Sequence, residues 1–299
     1  MSKELVLLLL IFCFVACSEK NKQLSQNPSP MEEHIRAHKR VDGFGCEGTR
    51  FKLEDVFSVP IEVYIPGHLT KNDTVALVFH FHGSSKVTEW AACDGKKKYV
   101  VATVNLGSGS AKYEKPLLDP KVVDDMFNQA QHVLFKEYGF SVKKRFITSF
   151  SAGYGAVRAL LSNPVSFEKI DGVLLLDGLH TDYIPDKQLL SNGGKLNEDK
   201  LQPFLQFARK AVTGNKRFVF THSSIFPGTY ASTTECADYL INELGLKRTS
   251  VLEEGPLGMQ QVGNTNQERL HIIAFAGNTA PDHVDHLHGL SDFIQLLDN

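Results

Sequence analysis

Thr74 to Phe81 reads TVALVFHF, a continuous apolar run with β-branched residues. Such a run suits a strand buried on both faces of a sheet. Tyr99 to Asn105 (YVVATVN) reads the same way, and so do Arg145 to Phe150 (RFITSF), Gly172 to Leu176 (GVLLL), Arg217 to Thr221 (RFVFT) and His271 to Phe275 (HIIAF). Ile61 to Ile65 alternates and predicts a further strand. Helical patterns lie between them. Asp119 to Tyr138 carries Val122, Met126, Phe127, Ala130, Val133 and Leu134 at helical spacing, and Ala152 to Leu161 is stopped by Asn163-Pro164. Lys200 to Val212, Thr233 to Leu244 and Asp282 to Leu297 complete the set. Buried strands alternating with helices predict an α/β fold, a mostly parallel central sheet with helices on both faces. There is no internal repeat and no break in composition after the N-terminal segments, so residues 43–299 read as a single domain. The polar stretch between His180 and Leu201 reads as a small cap or a flexible loop.

With 299 residues and 42% hydrophobic content, the chain has ample material for a core. Lys+Arg number 32 against Asp+Glu 34, a formal charge of -2. That balance gives no footing for nucleic acid and does not suggest an acidic solvating tail.

Leu5 to Ala16 (LVLLLLIFCFVA) follows Lys3 and precedes Cys17. A span needs about 20 apolar residues, so this run is too short to cross a bilayer and fits a secretory signal. Phe14-Val15-Ala16-Cys17 resembles the lipobox of bacterial lipoproteins. That resemblance implies a signal peptide over residues 1–16, removed before Cys17, which then carries lipid such as palmitate. It also implies a cell-envelope location, with Ser18 after the Cys resembling outer-membrane sorting in some bacteria. The other reading is an ordinary signal peptide with a chance Cys. Residues 17–42 are polar, include Pro28 and Pro30, and read as a tether with a root-mean-square reach of about 25 Å. Export would permit a disulfide. Of Cys46, Cys93 and Cys236, at most one pair can form, with Cys46–Cys93 favoured; the alternative is three small buried thiols.

The strand RFITSF meets the helix pattern AGYGAVRALL at Ser151, within Ser149-Phe150-Ser151-Ala152-Gly153. This is a relaxed G-x-S-x-G arrangement. A strand that turns at once into a helix forces its middle residue into strain with the side chain projecting, and the residues two before and two after must be small. Gly155 is expected to let the helix lie close to the sheet. Here the chain resembles the α/β-hydrolase superfamily of serine esterases and lipases, over roughly 240 residues. The alternative is a serine in a tight turn of another α/β fold.

That resemblance implies Ser151 as nucleophile, then an acid, then a histidine base, with oxyanion donors from an earlier loop. His80-Phe81-His82-Gly83-Ser84 resembles the His-Gly oxyanion loop, so the N–H of Gly83 or Ser84, with that of Ala152, is the expected hole. Asp177, ending GVLLL and preceding Gly178, is the expected acid. The next strand continues Thr221-His222-Ser223-Ser224 with no acid before Glu235. The base is expected at His283, with His286 as the alternative. Thr279 and Asp282 make a capping arrangement that would start the last helix near Ala280. On that helix His283, Leu287, Leu290, Ile294 and Leu297 share one face, while His288 is expected in solvent. His82, Tyr113 and Tyr154 are weaker candidates for lining the substrate pocket; Tyr113, near Gly107-Ser108-Gly109-Ser110, reads more readily as part of a flexible loop.

Asp282, His283, Asp285, His286 and His288 also have ligand chemistry, but there is no HExxH and no Cys pair at ligand spacing. No metal and no cofactor are expected. Two functions remain in view. The first is an extracytoplasmic hydrolase of a small-molecule or glycan-linked acyl ester, working through an acyl-enzyme, with acyl transfer to another alcohol as a variant. The second is a non-catalytic lipoprotein that binds a ligand or partner on a hydrolase scaffold.

Overall fold

The computed structural model describes residues 45–94 and 97–298. The signal peptide, Cys17 and the tether expected over residues 17–42 lie outside the described residues. The described chain builds a ten-stranded sheet and a two-stranded ribbon. In the sheet the strands are β1 (Gly48–Leu53), β2 (Ile61–Pro66), β3 (Thr74–Phe81), β4 (Tyr99–Val104), β5 (Ser141–Phe150) and β6 (Gly172–Leu176). They are followed by β9 (Arg217–His222), β10 (Thr249–Glu254), β11 (Gln260–Gln267) and β12 (Leu270–Phe275). The strand order is β1-β2-β4-β3-β5-β6-β9-β12-β11-β10. The middle six, from β4 to β12, pair in parallel. β1, β2, β10 and β11 add antiparallel edges.

The parallel centre is the part that the apolar runs predict. The edges are harder to read. β10 is almost wholly exposed and β11 is mostly polar, so neither carries the apolar pattern of a core strand. The stretch from His180 to Leu201 is no loose loop. It forms the ribbon β7 (Tyr183–Ile184) and β8 (Lys195–Leu196), with two short 3₁₀ turns.

Alternating residues of each central strand feed opposite faces. Leu77, Phe79 and Phe81 of β3 join one apolar cluster, and Ala76 and Val78 join the other. The first cluster packs against α2 (Ser110–Leu117), α3 (Pro120–Tyr138), α4 (Tyr154–Ser162), α6 (Gln202–Val212) and α7 (Thr233–Glu243). The second packs against α1 (Ser85–Cys93), α8 (Ala280–His288) and α9 (Leu290–Phe293). A short α5 (Pro164–Lys169) follows α4. α3 begins at the Asp119 cap with Pro120 inside it and ends on left-handed Gly139. The C-terminal helix expected to run unbroken to Leu297 is instead interrupted at Gly289 and finishes as a 3₁₀ turn.

Cys46 and Cys93 form a disulfide, whereas Cys236 is a buried free thiol. The bond ties the start of the described chain to the end of α1. Closing 47 residues limits the unfolded ensemble. The Cys46→Ser variant is expected to lose about 2–4 kcal/mol in urea unfolding; an unchanged midpoint would mean that the link does not restrict the unfolded chain.

Two strand-end histidines are buried and neutral. His80 Nδ1 meets Thr148 Oγ1 at 2.8 Å, and its Nε2–H donates to the His82 carbonyl at 3.0 Å. His222 Nδ1 meets Thr234 Oγ1 at 3.0 Å, and its Nε2 accepts from Arg248 at 3.2 Å. Burial pushes both down to about 3, helped at His222 by the nearby Arg248 charge. The unfolded chain protonates such histidines below about 6.5. Between pH 6.5 and 3 the unfolded state therefore binds more protons, and stability falls as pH falls through that window. Urea titrations across it should give a slope of at least about two protons taken up on unfolding; a flat profile would contradict the neutral burial of these rings.

Candidate active site

Ser151 follows β5 directly, and its φ of 46° lies in the left-handed region that a residue with a side chain enters only under strain. The chain then makes one 3₁₀ turn, Ser151–Gly153, and enters α4. Gly153 is compulsory here, because a Cβ would lie 2.1 Å from the Phe81 carbonyl oxygen. Ser149 is fully buried on β5, and its Cβ would lie 3.0 Å from a Cβ placed on Gly153. Gly155 has a different job from the one expected. Its missing Cβ makes room for the backbone of Ser110 at the start of α2, not for the sheet.

Asp177 sits in the next strand-end turn and also has a positive φ, 41°. Gly178 behind it lets this turn press against the Ser151 turn, since a Cβ there would come within 2.6 Å of the Ser151 nitrogen. The Asp177 carboxylate is buried and receives four hydrogen bonds. Oδ1 accepts from the Ser223 N–H at 2.9 Å and from Thr233 Oγ1 at 2.8 Å. Oδ2 accepts from Ser223 Oγ and from His283 Nδ1, both at 2.7 Å. Burial by itself opposes the charge, but His286, the bond from His283 and the Ser223 N–H outweigh it and hold the carboxyl far below the usual carboxylate range. Ser223 occupies the turn after β9, where the sequence offers no acid, and it donates to the carboxylate of the preceding turn instead.

His283 lies in the first turn of α8. Thr279 and Asp282 form the capping box that starts this helix at Ala280. Because a carboxylate only accepts, His283 Nδ1 carries the proton and Nε2 has the free lone pair. Its ring packs at 4.5 Å on Phe150, which in turn stacks on His82. Ser151, Asp177 and His283 line one cavity of about 180 Å³, together with His180, Ile225, Pro227, Tyr230, Thr233 and Ala280. Among the described residues no hydrogen bond joins Ser151 Oγ to His283.

His286 is close enough to favour the Asp177 charge but makes no hydrogen bond to it. It is buried one turn along, with Nδ1 on Thr221 Oγ1 at 2.7 Å, and it does not line the cavity. His288 is buried too, contrary to the expected solvent exposure, since it ends α8 between Leu287 and Leu290, which both join the second apolar cluster.

The turn His82-Gly83-Ser84 lies at the end of β3, beside the Ser151 turn. His82 has φ 69° and Gly83 φ 144°. His80 fastens this turn through the His82 carbonyl, and Asn105 Nδ2 donates to the Gly83 carbonyl at 3.1 Å. Ser84 caps α1, and Ala152 follows Ser151 in the 3₁₀ turn. The three weaker pocket candidates lie as follows. Tyr113 is in a helix, not a loop, and is fully buried; its hydroxyl donates to the Gly107 carbonyl, accepts from Leu106 N–H and meets His82 Nδ1. His82 stacks on Phe150, and Tyr154 sets its ring edge-on to His180 at 5.5 Å. None of the three lines the cavity that holds Ser151. His180, Tyr230 and Thr233 do, and sequence reasoning missed them: none belongs to a recognisable motif, and only the fold brings the segment after β6, the loop after β9 and the start of α7 to one cavity.

Among the described residues no group of three or more His, Cys, Asp or Glu is placed to hold a metal ion.

No family model matches the chain, and no curated protein matches it in sequence. Solved structures do. One described as FAE superposes with a TM-score of 0.50 at 13% identity, covering 90% of this chain and 96% of its own. The siderophore hydrolase EstB from Aspergillus nidulans follows at 0.49 and 11%, with 88% and 97% covered. An acetyl xylan esterase from Aspergillus awamori gives 0.43 and 15%, with 81% and 100% covered. At such identities a likeness speaks only to architecture. The first of these likenesses, taken with the parallel sheet, its flanking helices and the strained turn at Ser151, shows that the chain adopts an α/β-hydrolase fold.

Proposed function

We propose that this chain is a serine hydrolase that cleaves carboxylic esters outside the cytoplasm. The observation that carries the reading is the 2.7 Å bond from His283 Nδ1 to Asp177, in the cavity that Ser151 also lines. The bond leaves His283 Nε2 with a lone pair, in the same cavity as a serine held in a strained turn. In the proposed reaction Ser151 Oγ attacks the ester carbonyl and His283 Nε2 takes its proton. Asp177 fixes the tautomer and stabilises the imidazolium. The N–H of Ala152, with that of Gly83 or Ser84, receives the oxyanion. His283 then passes the proton to the leaving alcohol, and water releases the acyl group by the same route. The missing bond between Ser151 and His283 is no obstacle, since such contacts often tighten only when substrate binds.

A fluorophosphonate probe tests this on the purified chain. Ser151 is expected to label, Ser151→Ala to abolish labelling, and Asp177→Asn to slow it by on the order of 10³ or more. A folded chain that does not label would instead support the binding-protein reading, and labelling that survives Ser151→Ala would identify another serine.

The proposed address is the bacterial envelope, with lipid on Cys17. The Cys46–Cys93 disulfide supports an oxidising compartment. Labelled palmitate should be incorporated by the full chain in a bacterial host and lost in Cys17→Ala; equal incorporation by both would remove this reading.

A further inference from the structure

His180 is a cavity residue that the proposed reaction leaves unused. Its Nδ1 lies 2.8 Å from the Ala231 carbonyl oxygen. A carbonyl only accepts, so Nδ1 is the protonated nitrogen and Nε2 presents a lone pair. Burial pushes the ring's pKa down, which keeps it neutral. Tyr154 and Tyr230 hold the ring edge-on from 5.5 and 5.0 Å, so its direction is fixed. Among the described residues no group donates to Nε2. The cavity thus contains a second oriented acceptor besides His283.

The position of the cavity says which half of an ester it would hold. It is lined by His283, Asp177 and Thr233, and by neither the His82–Ser84 turn nor Ala152. Its lining, which also includes Ser151, thus contains the expected base and none of the expected oxyanion donors. The base returns its proton to the leaving alcohol, so the alcohol lies on the side of the base. Tyr230, lining the cavity, and Phe226, in sequence between the cavity residues Ile225 and Pro227, are both substantially exposed.

Resting on the serine-hydrolase reading, we propose that His180 is a specificity-determining residue whose Nε2 accepts a hydrogen bond from a free hydroxyl on the leaving alcohol. The favoured substrates are then acyl esters of polyols or sugars, not of simple alkanols. An alkanol ester would bury the His180 acceptor without a partner, a recurring source of discrimination.

Trans-1,2-cyclohexanediol monoacetate and cyclohexyl acetate differ by one hydroxyl and make the test. The wild-type chain is expected to favour the monoacetate in kcat/KM by about tenfold or more. His180→Phe keeps a ring but loses the acceptor, and should bring the ratio towards one. His180→Gln retains an acceptor oxygen and should keep part of the preference. The ratio between substrates, not the absolute rate, is the readout, with thermal melting as the check on folding. A wild-type ratio of one, or a ratio unchanged in His180→Phe, overturns the role of His180 while fluorophosphonate labelling of Ser151 still stands. A chain that neither labels nor cleaves either ester takes down the hydrolase reading and this inference together.

Discussion

Asp177 keeps a negative charge almost out of contact with water, and the arrangement around Ser151 depends on that charge being satisfied. An unpaired buried carboxylate would be protonated or would unfold its surroundings. Here four donors reach it from three segments: Ser223 twice, Thr233 at the start of α7 and His283 at the start of α8. The carboxylate therefore does more than orient an imidazole. It fastens the turn after β9 and the first turns of two helices to the end of β6. Removing one partner of such a buried charge typically costs about 3–5 kcal/mol, so the geometry of the cavity and the stability of this sheet edge are one problem.

Around this charge, close backbone packing sets where Ser151 can be. The ends of β3, β5 and β6 come together so tightly that two positions cannot carry a Cβ. Gly153 faces the Phe81 carbonyl, and Gly178 faces the Ser151 backbone. Ser151 and Asp177 both accept left-handed φ values as a consequence. Such strain persists only where surrounding contacts over-determine it. The parallel sheet supplies those contacts, because β3, β5 and β6 are registered neighbours that end level with one another.

The parts of this protein that could be read residue by residue share one property: their signal is local. Apolar runs marked every strand of the parallel centre, and small residues around Ser151 marked the strand-to-helix turn. Thr279 with Asp282 marked the start of α8. The edge strands β10 and β11 gave no such signal, because strands that face water need no apolar period. Tyr113 illustrates a second kind of difficulty. Its neighbours Gly107 and Gly109 suggest a loop, yet the ring is enclosed by the turn below His82, where it supports the loop end. Gly155 was legible as a close-approach position, but the partner it approaches, Ser110, is 45 residues away in the chain by simple subtraction.

The sequence by itself determined the α/β class, the order of the central strands and helices along the chain, and the turn chemistry at Ser151 and Thr279. Each of these follows from side-chain periodicity or from steric limits on a few adjacent residues. Only the tertiary structure decided which histidine meets Asp177, which cysteines pair and which side chains line the cavity. His283 and His286 are three positions apart on one helix, and each is chemically fit to be a base. One reaches the buried carboxylate and the other reaches Thr221 because of how α8 packs on the sheet. That packing sums contacts from strands far apart in sequence, and no local pattern contains it.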